Sequence, residues 1–275
     1  MSLPTTNNIS RWMFSEERLK LTPSIRLGMT EEQEMEHRQA AATLIRLIGT
    51  RLKEAHKKPL PNTQCISTAM VFMQRFYVFH SFQKYSYKSI VPCALYLAAK
   101  VEEQPIKLEY IIRTTALCLN PNHGKLDKSD KKFEALAREL TKNENLLLQT
   151  IGFDLYIQHP HQMVIEWGEK MGAPRETQKL AFDLVSNSLH FSTMCLRFKP
   201  QTMAVVCLGI ALKACSLGVE EQSEEGKEWW KIFDPELSFE TKEKITADFL
   251  ATAGKHKNFN RWIEKPSLEN VNSKQ

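Results

Sequence analysis

Lys100 and Glu144 are charged residues that lie on otherwise apolar helical patterns. No residue from 91 to 99 carries a charge, and Lys100 follows Tyr96 by four positions, so its ammonium group should emerge on the same apolar face of a helix. Between 133 and 151 the apolar residues recur at helical spacing, and Glu144 occupies one position of that stripe. A carboxylate in such a place needs a partner, or must lie where water or another molecule completes its hydrogen bonds.

Two interpretations of this pair are open from the residues alone. In the first, Lys100 and Glu144 form an ion pair within the chain and only hold two helices together, as most charged residues of this kind do. In the second, both face outward as a charged clamp for the backbone of a partner, with Glu103 one helical turn beyond Lys100.

The elements that carry these residues are predicted to be helices. The chain has 10 glycines and 12 prolines in 275 residues, and alternating strand patterns are nearly absent. Thr30 and Gln33 form a capping-box pattern that predicts the start of the first long helix. Arg38 lies on the apolar stripe of that helix and is predicted to be a structural arginine, held by polar partners in the core. Further helices are predicted from Pro61 onward and near 89–104, 107–119 and 130–151.

A second set of helices is predicted to repeat the first. The segment 203–213 is apolar and rich in small residues, and it ends in Lys213 much as the first apolar helix ends in Lys100. Around it we expect helices near 160–171, 174–197, 226–233 and 239–253. The predicted organisation is an N-terminal segment with a short helix (1–29), two helical bundles (30–156 and 157–254) and a basic and polar tail (255–275).

Composition and motifs argue against chemistry carried out by the chain itself. No nucleotide-binding or hydrolase motif is present, and the close pair His159 and His161 is separated by a proline at a helix start, so no metal, cofactor or catalytic residue is expected. The six cysteines lie in apolar helical stretches without a CxxC pair, which predicts buried thiols in a reducing compartment. No segment reaches membrane length, and no membrane partner is expected.

Several stretches resemble the cyclin family. The segment 97–103, followed later by 144–155, resembles the cyclin box. Further stretches are similar to the cyclin T branch of the transcriptional cyclins; cyclin T is the regulatory subunit of positive transcription elongation factor b. These stretches are 11–14, 22–24, 72–77, 80–82 and 102–105. The resemblance covers roughly residues 8 to 263. It implies an all-α fold of two consecutive cyclin-box bundles with five helices each.

The resemblance also implies site residues. In cyclins, the residues that match Lys100 and Glu144 hydrogen-bond the region of the activation helix in a cyclin-dependent kinase. This favours the clamp interpretation without excluding a contact between the two residues. Four more residues match kinase contacts of the family: Tyr96, Glu103, Phe153 and Leu155. For the last two, the alternative is that they pack into the junction between the bundles.

The implied function is that of a regulatory subunit without catalytic activity. It would bind and activate a kinase of the elongation class, similar to cyclin-dependent kinase 9, in the nucleus. The implied substrate of the complex is the C-terminal domain of RNA polymerase II, and elongation scaffold proteins or RNA are candidate partners. One alternative is a cyclin K-like or other transcriptional cyclin. Another is a general transcription factor of the same fold that binds promoter DNA without a kinase; it would need a stronger basic stripe and not the Lys100 and Glu144 pair.

The apolar groove by which many cell-cycle cyclins dock substrates has no clear counterpart in this sequence. The matching positions 37–41 read His-Arg-Gln-Ala-Ala, and Leu44 replaces a tryptophan of that groove. Substrate docking there is therefore not expected, as is usual for transcriptional cyclins.

The C-terminal tail mixes basic and aromatic residues, a composition that can bind nucleic acid by charge and stacking. The candidate RNA- or partner-binding residues are Lys255, Lys257, Arg261 and Trp262. In cyclin T the corresponding tail takes part in recognising a viral activator and RNA, but the cysteine used there has no evident counterpart in this chain. The alternative is a solvated tail whose aromatic residues fold back on the bundle. The net charge of +5 permits nucleic-acid contact without requiring it.

Overall fold

The computed structural model describes residues 11–56, 60–122, 126–215 and 228–255, and these ranges contain helices and turns but no strand. The predicted all-α fold is confirmed. The chain divides into two compact units, with the boundary between Gln158 and His159. No helix in the described ranges is long and apolar enough to cross a membrane.

The central helix of the first unit is the apolar one that was predicted around Lys100. The helices described in this unit are α1 (Glu16–Leu19), α2 (Pro23–Arg26), α3 (Glu31–His56), α4 (Thr63–Phe79), α5 (Tyr87–Val101), α6 (Leu108–Leu119) and α7 (Lys131–Thr150). Helix α5 packs against α3, α4, α6 and α7. Its residues from Ile90 to Ala99 are buried apart from Tyr96, as expected for a helix that is apolar on all sides.

The ends of α5 differ from the prediction. The helix begins at Tyr87, where the Ser86 hydroxyl caps it by accepting a hydrogen bond from the Lys88 amide, and it ends at Val101 rather than Gln104. The amide of Gln104 instead donates to the carbonyl of Ala99 at 2.8 Å, which closes the helix with a Schellman turn. The helix thus ends before the position where Pro105 would have stopped it.

Helix α3 carries the predicted capping box and the buried arginine. The Thr30 amide donates to Gln33 Oε1 at 3.0 Å and the Gln33 amide donates to Thr30 Oγ1 at 3.1 Å, so the capping box is confirmed. Arg38 is 2% exposed. Its guanidinium donates to Glu34 Oε1 at 2.6 and 2.8 Å and also to α4, through Gln74. These contacts join the N-terminal half of α3 to the middle of α4.

The second unit has a central apolar helix of its own. Its described α-helices are α8 (Pro160–Lys170), α9 (Arg175–Phe191), α10 (Pro200–Ala214) and α11 (Phe239–Gly254), with 3₁₀ turns at Met194–Leu196 and Trp229–Ile232. Helix α10 packs against α8, α9 and α11. The helix predicted over 174–197 ends at Phe191, because Ser192 is extended and its hydroxyl accepts from the Met194 amide to start a 3₁₀ turn. In the described part of 226–233, which begins at 228, a 3₁₀ turn replaces the predicted helix.

All six cysteines are free thiols. Cys65, Cys93 and Cys207 are buried, and burial raises the pKa of Cys65 and of Cys207 to about 12. These thiols therefore stay protonated and behave as small apolar groups. The expectation that all six are buried was wrong for Cys118, Cys195 and Cys215, which are partly exposed.

Candidate protein-interaction site

Lys100 and Glu144 form an ion pair that reaches the surface on one side. Lys100 is in the last turn of α5 and Glu144 lies on α7, and the ammonium nitrogen donates to Glu144 Oε1 at 2.7 Å. The glutamate side chain is 9% exposed, whereas that of the lysine is 44% exposed. The two residues therefore pair within the chain, as the first interpretation expects. Glu144 does not face outward as the second interpretation expects, and a role of the exposed lysine in binding a partner stays a prediction.

The Lys100 ammonium group has an aromatic neighbour as well as a carboxylate. The Lys100 ammonium lies 4.1 Å from the centroid of the Tyr96 ring, so it contacts an aromatic face as well as a carboxylate. An ammonium group has three N–H donors, and the Glu144 bond uses one of them. The Glu144 carboxylate also influences the protein interior. Burial is the main cause that raises the pKa of the Cys93 thiol, and the negative charge of Glu144 raises it further. The Glu144 bond leaves two N–H donors on an ammonium group whose side chain is partly exposed.

Glu103 lies in the turn that follows Lys100, in a backbone conformation that glutamate rarely adopts. Its φ is 54°, in the left-handed region, and its amide donates to the Lys100 carbonyl at 3.3 Å. The residues on either side fix this turn against α4: Thr68 Oγ1 donates to Glu102 Oε1 at 2.5 Å, and the Asn62 amide donates to Gln104 Oε1 at 2.9 Å. Glu103 itself is exposed. The fold thus holds its carboxylate outward at the end of α5.

Phe153 occupies a similar position at the end of α7. Gly152 and Phe153 have φ values of 59° and 56°, and the Phe153 amide donates to the Leu148 carbonyl at 3.1 Å. Glycine is suited to the left-handed region, but a bulky residue is a genuine outlier there. The Phe153 ring is 67% exposed, and Leu155 is partly exposed. Tyr156 is also largely exposed; the sequence reasoning missed it, because the segment after α7 has no helical periodicity.

Of the other predicted site residues, one is buried in the core of the first unit, one is exposed in the second unit, and three lie outside the described ranges. Arg38 is inside the core of the first unit and is not at the surface. Lys255 is exposed and forms the C-cap of α11. Lys257, Arg261 and Trp262 lie outside the described residues. In the described ranges, no group of three or more histidine, cysteine or acidic residues is arranged to hold a metal ion.

Two family models match most of the chain. The model "Cyclin, N-terminal domain" matches residues 9–156, and the model "Cyclin-T2-like, C-terminal domain" matches residues 159–252. The first match alone covers more than half of the chain and contains Lys100, Glu103, Glu144 and Phe153.

Curated relatives agree with these matches. The sequence is 37% identical to Cyclin-T2 of Mus musculus over 267 residues, covering 94% of this chain and 36% of that protein. It is 39% identical to Cyclin-T of Drosophila melanogaster, covering 87% of this chain and 21% of that protein. For Cyclin-T1 of Homo sapiens the identity is 36%, with coverage of 89% and 32%. The chain therefore spans only about a third or less of the length of these relatives.

Solved structures share the fold at low sequence identity. A chain of the yeast RNA polymerase II CTD kinase CTDK-1 complex matches with a TM-score of 0.68 and 17% identity, covering 87% of this chain and 72% of that one. A chain of the yeast TFIIK (Kin28/Ccl1/Tfb3) complex matches with a TM-score of 0.57 and 17% identity, covering 89% and 96%.

Proposed function

This chain belongs to the cyclin family, and on that premise we propose that it is a cyclin T-like regulatory subunit that binds and activates a cyclin-dependent kinase. The proposed kinase is of the elongation class, similar to cyclin-dependent kinase 9, and the proposed substrate of the complex is the C-terminal domain of RNA polymerase II. The complex would act in the nucleus to promote transcription elongation. The identity of 36–39% to cyclin T proteins supports this branch of the family.

The observation that carries the proposal is the one-sided exposure of the Lys100 and Glu144 pair. The exposed lysine has N–H donors that a partner can reach, and charged groups at an interface contribute to its specificity and register. The left-handed backbone of the exposed residues Glu103 and Phe153 supports a binding role for each, because strained backbone persists only where the surroundings impose it and is concentrated at functional sites. The lysine would set the register of the docked kinase segment, and Phe153 would supply apolar contact area.

Activation follows from binding to one conformation of the kinase. A kinase is active only when the ion pair between its catalytic lysine and the glutamate of its mobile helix is formed. A subunit that binds this state more tightly shifts the population towards it. Moving the ratio of active to inactive states from 1:99 to 99:1 needs roughly a 10⁴-fold difference in affinity. One ion pair is too weak for that, so the apolar contacts must contribute most of the difference.

The test uses purified components. The chain is mixed with an elongation-class kinase or a cell-cycle kinase, and phosphorylation of a C-terminal-domain peptide is measured alongside the dissociation constant. We expect activation of the elongation-class kinase only. The double variant Lys100→Ala/Glu144→Ala should reduce kinase binding and leave the melting temperature nearly unchanged. If the double variant unfolds, the pair has a structural role and the clamp is wrong.

A parallel measurement addresses the alternative function. Fluorescence anisotropy with labelled duplex DNA tests for a DNA-binding factor of the same fold. Tight DNA binding by a chain that activates no kinase would favour that alternative and exclude the regulatory-subunit role.

A further inference from the structure

The turn that presents Phe153 is held by contacts from a distant part of the chain. Trp12 Nε1 donates to Asp154 Oδ2 at 2.7 Å, across 142 positions of sequence. Trp12 is 3% exposed, so it is almost entirely packed against neighbouring residues. On the other side of Phe153, the Arg11 guanidinium lies so close to Gly152 that a Cβ atom there would be 3.0 Å from Nη2. Both neighbours of Phe153 are therefore in contact with the N-terminal segment.

Arg75 on α4 supports the tryptophan from a third direction. Its guanidinium carbon lies 4.4 Å from the centroid of the Trp12 ring, a cation–π distance. The Trp12 ring also meets Phe79 edge-on at 6.2 Å. The indole is thus held between α4 and the turn after α7, and its N–H is directed at the Asp154 carboxylate.

Phe153 cannot hold its own conformation by packing, because its ring is mostly exposed. A left-handed backbone at a bulky residue has to be imposed by its surroundings. The Asp154 carboxylate is the nearest side chain along the chain that has a fixed partner, and that partner is Trp12. Loss of this bond would leave the turn with its backbone hydrogen bonds and the contact from Arg75 Nη1 to the Asp154 carbonyl at 3.4 Å, so fewer contacts would hold the ring in place.

We propose that Trp12, Arg75 and Asp154 are positioning residues that preorganise the Phe153 turn for the kinase. This inference rests on the proposed function and adds a role for the N-terminal segment 11–14. Preorganisation raises affinity because the ordering is complete before the partner arrives. If the competent fraction falls to about one tenth, the apparent dissociation constant rises about tenfold.

The experiment compares matched variants of the full chain binding to a purified elongation-class kinase. Asp154→Ala removes the acceptor, whereas Asp154→Asn keeps a side-chain oxygen that accepts the indole N–H. Trp12→Phe keeps an aromatic ring and removes the donor. We expect Asp154→Ala and Trp12→Phe to weaken binding about tenfold and Asp154→Asn to restore it to within about twofold of the unmodified chain.

A double-mutant cycle separates positioning from a general structural role. In a Phe153→Ala background, the further change Asp154→Ala should alter the dissociation constant by less than about twofold, because the residue acts through the ring that is already absent. An equal loss of affinity with and without the Phe153 ring would overturn the proposal. So would unchanged kinase binding by Asp154→Ala.

Amide hydrogen exchange gives a second readout that does not need the kinase. In Asp154→Ala the amide of Phe153, which donates to Leu148, should exchange faster, while the amides in the middle of α5 keep their rates. Unchanged exchange at Phe153 would contradict the proposal. The proposed function fails separately if the unmodified chain binds no kinase, and that result overturns this inference as well. If the unmodified chain binds and Lys100→Ala weakens binding but Phe153→Ala does not, only the positioning role fails.

Discussion

The Lys100 ammonium lies 2.7 Å from Glu144 Oε1, and the two side chains differ in exposure, 44% for the lysine and 9% for the glutamate. The carboxylate is inside the protein and depends on the lysine for its compensation, whereas the lysine has solvent on its other side. The pair is therefore asymmetric: loss of the lysine leaves a buried charge without its cation, and loss of the glutamate leaves a solvated ammonium group.

This asymmetry predicts an order of stability among variants of the pair. Lys100→Met should lower the free energy of unfolding by about 1–3 kcal/mol, because the buried carboxylate loses its charged hydrogen bond. The double variant Lys100→Met/Glu144→Gln should recover much of that loss, since no buried charge remains. Urea denaturation of the single and double variants measures the order. Equal stability of Lys100→Met and the unmodified chain would show that Glu144 does not depend on the lysine.

The left-handed backbone at Glu103 predicts opposite effects on stability and binding. Glu103→Gly should raise the free energy of unfolding by about 0.5–1 kcal/mol, because glycine adopts this φ without the steric cost but loses more entropy on folding. The same change should weaken kinase binding, since the exposed carboxylate is gone. Glu103→Gln is the matched control: it removes the charge, keeps the steric cost and should not gain stability. Thermal unfolding measures the predicted change in stability, and titration with the kinase measures the predicted change in binding.

Two ion pairs with the same sequence spacing should contribute very differently to the free energy of unfolding. Arg38 pairs with Glu34 inside the core, and Arg138 pairs with Glu134 at the surface, each at a separation of four residues and with arginine exposures of 2% and 78%. Arg38→Met should destabilise the first unit by about 3–5 kcal/mol, because Glu34 is left buried without its cation.

The surface counterpart is the control for this prediction. Arg138→Met should change the free energy of unfolding by about 0–1 kcal/mol, since solvent screens the exposed pair. Chemical denaturation of both variants under one condition gives the comparison. A small loss for Arg38→Met would mean that the core rearranges to compensate the carboxylate.

The lowered pKa of His80 should make the stability of the folded chain depend on pH. Burial, with a smaller contribution from Lys84, lowers the pKa of His80 below its ordinary value of 6.5 in the folded chain. Below pH 6.5 the unfolded chain therefore takes up a proton that the folded chain does not, so this contribution to stability is present above pH 6.5 and declines as the pH falls through that value. His80→Gln should show a smaller loss between pH 7.5 and pH 5.5 in denaturant titrations. An identical loss in both proteins would assign the dependence to other groups.

Local patterns predicted the helices well where the signal lay within one element. The capping box at Thr30 and Gln33 needs only four residues, and the buried face of α5 follows from its uncharged run. The end of α5 was placed too late, because Pro105 marks only the last position that a helix can reach. The Schellman bond from Gln104 to Ala99 stops it earlier.

The sequence by itself determined the helical class, the central helix and the presence of one charged residue on each of two apolar helical stripes, because helical periodicity is a local property that each segment carries. That these two residues form an ion pair came from the tertiary structure. Only the tertiary structure decided that the glutamate is buried while the lysine is open. It also decided that Phe153 is presented on a left-handed turn tied to Trp12. These features arise from packing between segments far apart in the chain, where no spacing rule connects one residue to the other.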